Sequence, residues 1–158
     1  MPYKVNPDSF GFLVTDVSRL IRAEMDRRIG EAGLGLTAAE GRTLSHAARA
    51  GVVRQNVLAE RMGVEAMTLS ATLDRLEAQG LIERQPDPTD RRAKLVHITG
   101  KADEILERMA PISAALRADA SLGMAPDDWD RLLDLLKTVR ATLSAAKSEL
   151  AAKESTPE

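Results

Sequence analysis

The sequence predicts a mainly α-helical chain with one small β-hairpin, and three observations support this. Apolar residues recur at intervals of three and four over most of the chain, which is the pattern of helices with one buried face. Gly63 separates two short helical segments and allows a tight turn between them. The segments 81–84 and 94–98 then read as two strands around a basic loop. This order of elements predicts a winged helix-turn-helix with further helices on both sides.

Composition limits the kind of protein. A length of 158 residues fits one domain, 1–158. Without cysteine, and with only two His, neither a structural zinc site nor any other metal site is expected, and no cofactor is predicted. No apolar run approaches about 18 residues, so we expect a cytoplasmic protein that does not enter a membrane.

The first helix is predicted over residues 8–30. Its apolar seam is formed by Leu13, Val17, Leu20, Ile21, Met25 and Ile29. We expect Asp8 or Ser9 to cap its start, and Gly30 together with the glycines that follow to end it.

The winged unit is predicted over residues 36–99. Thr37 and Glu40 have the spacing of a capping box, which starts a helix over 38–48. A further helix is expected over 55–62, after a segment that can add a short strand.

A recognition helix is predicted over residues 66–79. Leu69, Leu73 and Leu76 lie within about 60° of one another around the helix, which makes them its buried side. The opposite face, which we expect to approach the DNA bases, carries Met67, Thr68, Ala71 and Arg75.

Each of these side chains has a defined possible role. Ala71 can meet a thymine methyl group, whereas Arg75 can bind a phosphate or a guanine edge. Two alternatives stay open: Thr68 can bond back to its own helix, and Arg75 can pair with Asp74 or with a neighbour near Glu77.

The predicted wing loop carries Asp90, Arg91, Arg92 and Lys94. From Arg75 to Lys101 there are six basic and four acidic residues, although the whole chain has a net charge of −2. The carboxylate of Asp90 can hold the guanidinium of Arg92 in one rotamer for entry into a minor groove. The alternative is a solvated loop without contacts to DNA.

Two C-terminal helices are predicted over residues 100–147. Thr99 is expected to cap the first, over 101–120, and Pro126 to begin the second. Their apolar stripes and that of the first helix exceed what the winged unit needs, so we expect homodimerisation through these helices. A twofold dimer would space its two recognition helices by roughly 34 Å and bind a near-palindromic double-stranded operator.

One long segment resembles the winged-helix core of MarR-type bacterial regulators. It reads LAERMGVEAMTLSATLDRLEAQGLIERQPDPTDRRAKLVHIT, and its DRRAK run followed by a strand is similar to the SlyA branch. The resemblance implies a homodimeric DNA-binding repressor or anti-repressor, released from DNA by a small, often aromatic, acid. The wing Asp and Arg of the family fall on Asp90 and Arg92. SlyA-like proteins commonly carry Arg where this chain has Ala71, which leaves the operator sequence open.

The resemblance also suggests where an effector would bind. Arg19 and Arg22 lie at positions similar to those near the effector cavity of the family, and His46 is a further candidate. The alternative for both arginines is a solvated or intersubunit charge, and for His46 an interaction with the end of its helix. The aromatic residue often found early in that helix is replaced by Gly41.

No catalytic residues are predicted, because the sequence contains no HExxH, GxSxG or P-loop motif. The prediction is therefore a DNA-binding regulator and not an enzyme. Two other functions stay open: a winged helix used only for protein contacts, and a constitutive regulator without a ligand.

Overall fold

The computed structural model describes residues 4–154. The helices within this range are α1 (Phe10–Glu31), α2 (Ala38–Ala50), α3 (Gln55–Met62), α4 (Ala66–Ala78), α5 (Lys101–Ala120) and α6 (Pro126–Glu154). The strands are β1 (Val53–Arg54), β2 (Ile82–Asp87) and β3 (Asp90–Ile98), paired antiparallel in the order β1-β3-β2. The predicted mainly α-helical fold with a small β-wing is confirmed.

The chain divides into two compact units, with the boundary between Arg117 and Ala118. The first unit contains α1–α4, the sheet and most of α5, and it therefore holds the whole helix-turn-helix and wing. The second contains the end of α5 and all of α6.

The core of the first unit comes from every element between α1 and β3. Its largest fully buried side chains are Ile29, Leu44, Leu58, Leu69, Leu73, Leu76, Leu81, Ile82 and Val96. Three of the nine belong to α4, so the buried side of the recognition helix is fixed and its other side is left facing outward.

Helix α1 begins at Phe10, and Ser9, one of the two predicted caps, occupies the N-cap position with extended dihedral angles but without a capping hydrogen bond from its side chain. Gly30 lies within the helix, which continues to Glu31, since one glycine in a helix costs only about 1 kcal/mol. The turn that follows uses Gly33 and Gly35, whose φ angles of 62° and 73° favour glycine.

Helix α2 has the predicted capping box. The Thr37 hydroxyl accepts the Glu40 N–H at 3.2 Å, and Glu40 Oε2 accepts the Thr37 N–H at 3.0 Å. Later in α2, a Cβ at Gly41 would lie 2.8 Å from Cγ2 of Ile29 and 3.4 Å from Cε of Met109. Helices α1 and α5 therefore approach α2 as closely as glycine permits.

The end of α4 is bonded to the start of α5. Lys101 Nζ donates to the Gln79 carbonyl at 2.8 Å, and the Thr99 hydroxyl donates to the Gly80 carbonyl at 2.6 Å. The hydroxyl expected to cap α5 is thus bonded to the segment that ends the recognition helix.

Helices α1 and α6 are the most exposed in the described chain. Helix α6 buries none of its residues fully, although it contains an apolar stripe, and α1 fully buries Ile29 alone. The larger exposed apolar side chains on these two helices are Phe10, Phe12, Leu13, Val14, Val17, Leu20, Ile21, Leu135, Leu136, Leu143 and Leu150. None of the helices within residues 4–154 combines the length and apolar character required to span a membrane.

Candidate nucleic-acid interface

Helix α4 has one buried and one exposed face, as the periodicity predicts. Leu69 and Leu73 are at most 1% exposed, whereas Met67 is 86% exposed. Thr68 and Ala71 are exposed on the same side as Met67. The accessible face of the first two turns therefore has apolar and hydroxyl groups but no charge.

Arg75, the fourth residue predicted to face DNA, is charged, and it forms an ion pair with a carboxylate of another helix. Its Nε donates to Glu40 Oε1 at 2.8 Å, and a terminal nitrogen donates to the Thr72 hydroxyl at 3.3 Å. Glu40 is only 4% exposed. Burial raises the pKa of Glu40, but hydrogen bonds from the Thr37 N–H and from Arg75 lower that pKa by more, so Glu40 stays ionised. The ion pair left open by the sequence thus exists, but its partner is on α2.

The two carboxylates near the end of α4, Asp74 and Glu77, share one arginine of the wing. Arg84 on β2 donates to Glu77 Oε2 at 2.7 Å and also binds Asp74. The Arg84 side chain is only 11% exposed. One guanidinium, itself hardly accessible, therefore compensates part of the negative charge that would repel phosphates.

The wing is a tight hairpin instead of the predicted open loop. Its strands extend to Asp87 and from Asp90, so Asp90, Arg91, Arg92 and Lys94 belong to β3. Pro86 can lie within β2 because this strand is at the edge of the sheet, where a missing N–H donor is tolerated.

The expected contact between Asp90 and the Arg92 guanidinium is not the one observed. Asp90 Oδ1 instead accepts the backbone N–H of Arg92 at 3.0 Å. Asp90 thus fixes the backbone of the hairpin tip, and the side chains of Arg91, Arg92 and Lys94 are exposed.

An ion pair that sequence reasoning missed lies beside the turn at the tip of the wing. Arg54 Nε on β1 is 2.6 Å from Asp87 Oδ2, and another nitrogen of Arg54 donates to the Thr89 hydroxyl at 3.0 Å. Asp87 Oδ1 accepts both the N–H and the hydroxyl of Thr89, at 2.8 and 2.7 Å. The only available signal was the Asp87-Pro88-Thr89 turn sequence, which indicates an Asx turn but not its partner on β1.

An open cleft of about 440 Å³ brings the helices and the wing together. It lies between the starts of α3 and α4 and strand β3. Seven of its nine lining residues are polar or charged, and the lining consists of Gln55, Asn56, Ala66, Ser70, Arg84, Asp90, Arg92, Ala93 and Lys94. Arg92 and Lys94, chosen from the wing sequence, thus border the same depression as the first turns of the recognition helix.

The three effector candidates lie on α1 and α2. Arg19 is exposed and 3.6 Å from Asp16, which fits a solvated charge. Arg22 is also exposed. His46 is half-buried; its pKa is lowered by burial and then by the positive charges of Arg49, Arg42 and Arg22. Of the two candidate arginines, only Arg22 is among the charges that lower the pKa of His46.

No group of three or more His, Asp or Glu side chains that could hold a metal ion occurs in the part of the chain that the structure describes.

Residues 34–93, which include α2, the helix-turn-helix and the tip of the wing, match the model of the MarR family. Two solved structures of MarR from E. coli are similar over most of the chain. The apo wild-type protein is 25% identical, with a TM-score of 0.69 over 87% of this chain and 98% of its own. A mutant complexed with operator DNA is 27% identical, with a TM-score of 0.62 over 82% and 91%.

The winged unit of this chain is thus similar to proteins of the MarR family. The HTH-type transcriptional regulator YkoM of Bacillus subtilis is 35% identical over 80 residues, which are 51% of this chain and 52% of YkoM. The chain thus matches about half the length of this curated relative. The family match covers α4 and much of the hairpin, so both elements of the candidate interface lie within the matched region.

Proposed function

We propose that this chain is a homodimeric, sequence-specific regulator of transcription that binds double-stranded DNA and is released by a small aromatic or anionic ligand. The DRRAK run further favours a place in the SlyA-like branch of the MarR family. The observation that carries the proposal is the cleft that joins the accessible start of α4 to Arg92 and Lys94.

The shapes and charges of these elements suit a duplex. An α-helix fits the major groove, and the uncharged face of Met67, Thr68 and Ala71 can approach base edges without repulsion from phosphates. A protruding hairpin with Arg91 and Arg92 can enter the adjacent minor groove, whose negative potential attracts guanidinium groups. The MarR structure solved with operator DNA has the same fold.

Dimerisation is proposed through α1, α5 and α6. Helix α1 leaves seven large apolar side chains exposed and helix α6 leaves four, and large exposed apolar surfaces often mark sites of protein association. A second copy of the chain would cover them, and twofold symmetry would present two recognition helices to a near-palindromic operator.

The effector is proposed to bind near Arg22 and His46. The guanidinium groups of Arg22, Arg42 and Arg49 all act on the imidazole of His46, so this region is positive and suits a carboxylate. Arg42 is already paired with Asp26 of α1, which makes Arg22 the better candidate to bind an anion. Arg19, which faces Asp16, has less support.

The decisive experiment is selection of bound duplexes from a random pool, followed by affinity measurements at several salt concentrations. We expect a near-palindromic sequence and an affinity that falls steeply with salt, because bound cations displace counterions from the phosphates. Failure to enrich any duplex would contradict DNA binding and favour a winged helix used for protein contacts.

Ligand release is tested separately. Benzoate, salicylate and a metabolite panel are titrated into the complex with the selected duplex, using wild type and Arg22→Ala. We expect an anion to weaken DNA binding through a coupling of about 1–3 kcal/mol, and Arg22→Ala to reduce this effect. An affinity unaffected by every compound would instead indicate a constitutive regulator.

A further inference from the structure

The accessible face of α4 lacks the side chain that most often reads guanine. Recognition of guanine in the major groove commonly uses Arg or Lys with two hydrogen bonds to O6 and N7. Arg75 is the one cationic residue in α4, and its guanidinium is held by Glu40 and Thr72. Arg84, the nearest cation of β2, is bound to Asp74 and Glu77 and is largely buried.

What α4 does expose is a short apolar strip. Met67 and Ala71 are four residues apart and therefore lie on one face of the helix, with Thr68 beside them. Met67 is 86% exposed and contributes little to the core of the first unit. A long, flexible thioether in this position is available for an apolar contact with a partner.

In the major groove, the methyl group at C5 of thymine is the apolar group of a base pair, and apolar side chains recognise it. We infer that Met67 and Ala71 read thymine methyl groups in each half-site, and that Glu40 keeps Arg75 from reading guanine. This inference rests on the proposed DNA-binding function and specifies the chemistry by which α4 selects its sequence.

The test uses the highest-affinity duplex recovered from the random pool. Each thymine is replaced in turn by deoxyuridine, which keeps the hydrogen-bonding groups and removes only the methyl. Loss of one buried methyl contact weakens binding by about fourfold, so we expect this loss for the wild-type protein at one or two thymines per half-site.

Variants assign the contact to its side chains. Met67→Ala and Ala71→Ser should each bind the unmodified duplex more weakly and reduce the deoxyuridine effect at the thymine they contact. Because Met67 and Ala71 are both exposed, these variants should fold normally, which circular dichroism verifies. Leu122→Ala removes an apolar side chain that is 87% exposed between α5 and α6, and should leave the deoxyuridine pattern unchanged.

A second modified base tests the inference that Arg75 does not read guanine. Replacement of guanine by 7-deazaguanine removes the N7 acceptor in the major groove, and we expect wild-type affinity to change by less than about twofold, because no pair of hydrogen bonds to O6 and N7 is lost. A tenfold loss would mean that Arg75 does read guanine, and would overturn the inference.

The inference also fails if the protein binds the selected duplex but tolerates deoxyuridine at every thymine, or if both α4 variants retain the full effect. That result would leave DNA binding intact. Absence of any salt-dependent duplex binding would instead contradict the proposed function.

Discussion

Arg54 and Asp87, 33 residues apart, form an ion pair at the tip of the wing, with Nε 2.6 Å from Oδ2. The pair joins β1 to the end of β2, and Thr89 bonds to both side chains. The hairpin that carries Arg91 and Arg92 is therefore attached to the sheet at its tip as well as by its strand pairing.

This arrangement predicts a specific loss of stability in acid. Hydrogen bonds from the Thr89 hydroxyl and N–H, together with Arg54, lower the pKa of Asp87 from 3.8 to about 2. Because the folded protein prefers the ionised form, the stabilisation is fully present above pH 3.8 and is lost as the pH falls through about 2.

We expect Asp87→Asn to be less stable than wild type at pH 6, with the difference shrinking between pH 4 and pH 2. Urea unfolding followed by circular dichroism measures this, and Asp134→Asn, which alters an exposed pair with Lys137, is the control. A stability difference that stays constant over this range would contradict the assigned role of the carboxylate.

Two glycines should respond to the same substitution in opposite directions. Gly30→Ala adds a methyl where no atom lies within 4 Å, so the greater helix propensity of Ala should stabilise the protein by about 0.5–1 kcal/mol. Gly41→Ala would place Cβ 2.8 Å from Cγ2 of the buried Ile29, and overpacking should destabilise it by about 1–3 kcal/mol.

Chemical denaturation of both variants and of wild type measures whether each substitution raises or lowers the free energy of unfolding. Equal effects would mean that Ile29 and Met109 move aside without cost, in contradiction to the close contact among α1, α2 and α5.

Arg92→Ala should weaken binding of the selected duplex at least tenfold, or about 1.4 kcal/mol, without loss of folding. The physical reason is removal of an exposed guanidinium beside the cleft, so the slope of log affinity against log salt should also decrease by about 1. Fluorescence anisotropy at four salt concentrations measures both quantities.

Arg140→Ala removes an exposed arginine from α6 and serves as the matched control. If the two variants bound the duplex equally well, Arg92 would have no place in the interface.

Glu40→Gln should change which DNA sequences the protein prefers. Gln can still accept the Thr37 N–H and so maintain the capping box, but it removes the charge that holds Arg75. We expect repeated duplex selection with this variant to enrich guanine at a position where wild type shows no preference.

Thr37→Ala is the complementary control, because it should lose about 1 kcal/mol of stability from the helix cap but keep the ion pair between Glu40 and Arg75. Identical selected sequences for wild type and Glu40→Gln would show that release of Arg75 has no effect on readout.

Patterns among residues close together in the sequence were sufficient to predict most helices and strands. The bounds of α3 and α5 agree with the prediction, and so does the capping box at Thr37. These features depend on residues within a few positions of one another, where helix periodicity, glycine and capping chemistry determine the conformation.

The features that the sequence did not predict are contacts between residues far apart along the chain. The partner of Arg75 is 35 residues away and that of Arg54 is 33, and neither helical nor strand periodicity indicates which surfaces meet. The wing strands are longer than predicted because pairing with β3 extends β2 through Pro86, a residue that locally favours a loop.

Thr99 and Lys101 donate hydrogen bonds to the carbonyls of Gly80 and Gln79, just beyond the last residue of α4. These bonds connect the C-terminal end of α4 to the start of α5. Because Leu69 and Leu73 hold the same helix in the core, a displacement of the first turn of α5 would be transmitted through these two hydrogen bonds to the C-terminal end of α4 and to the core beneath it.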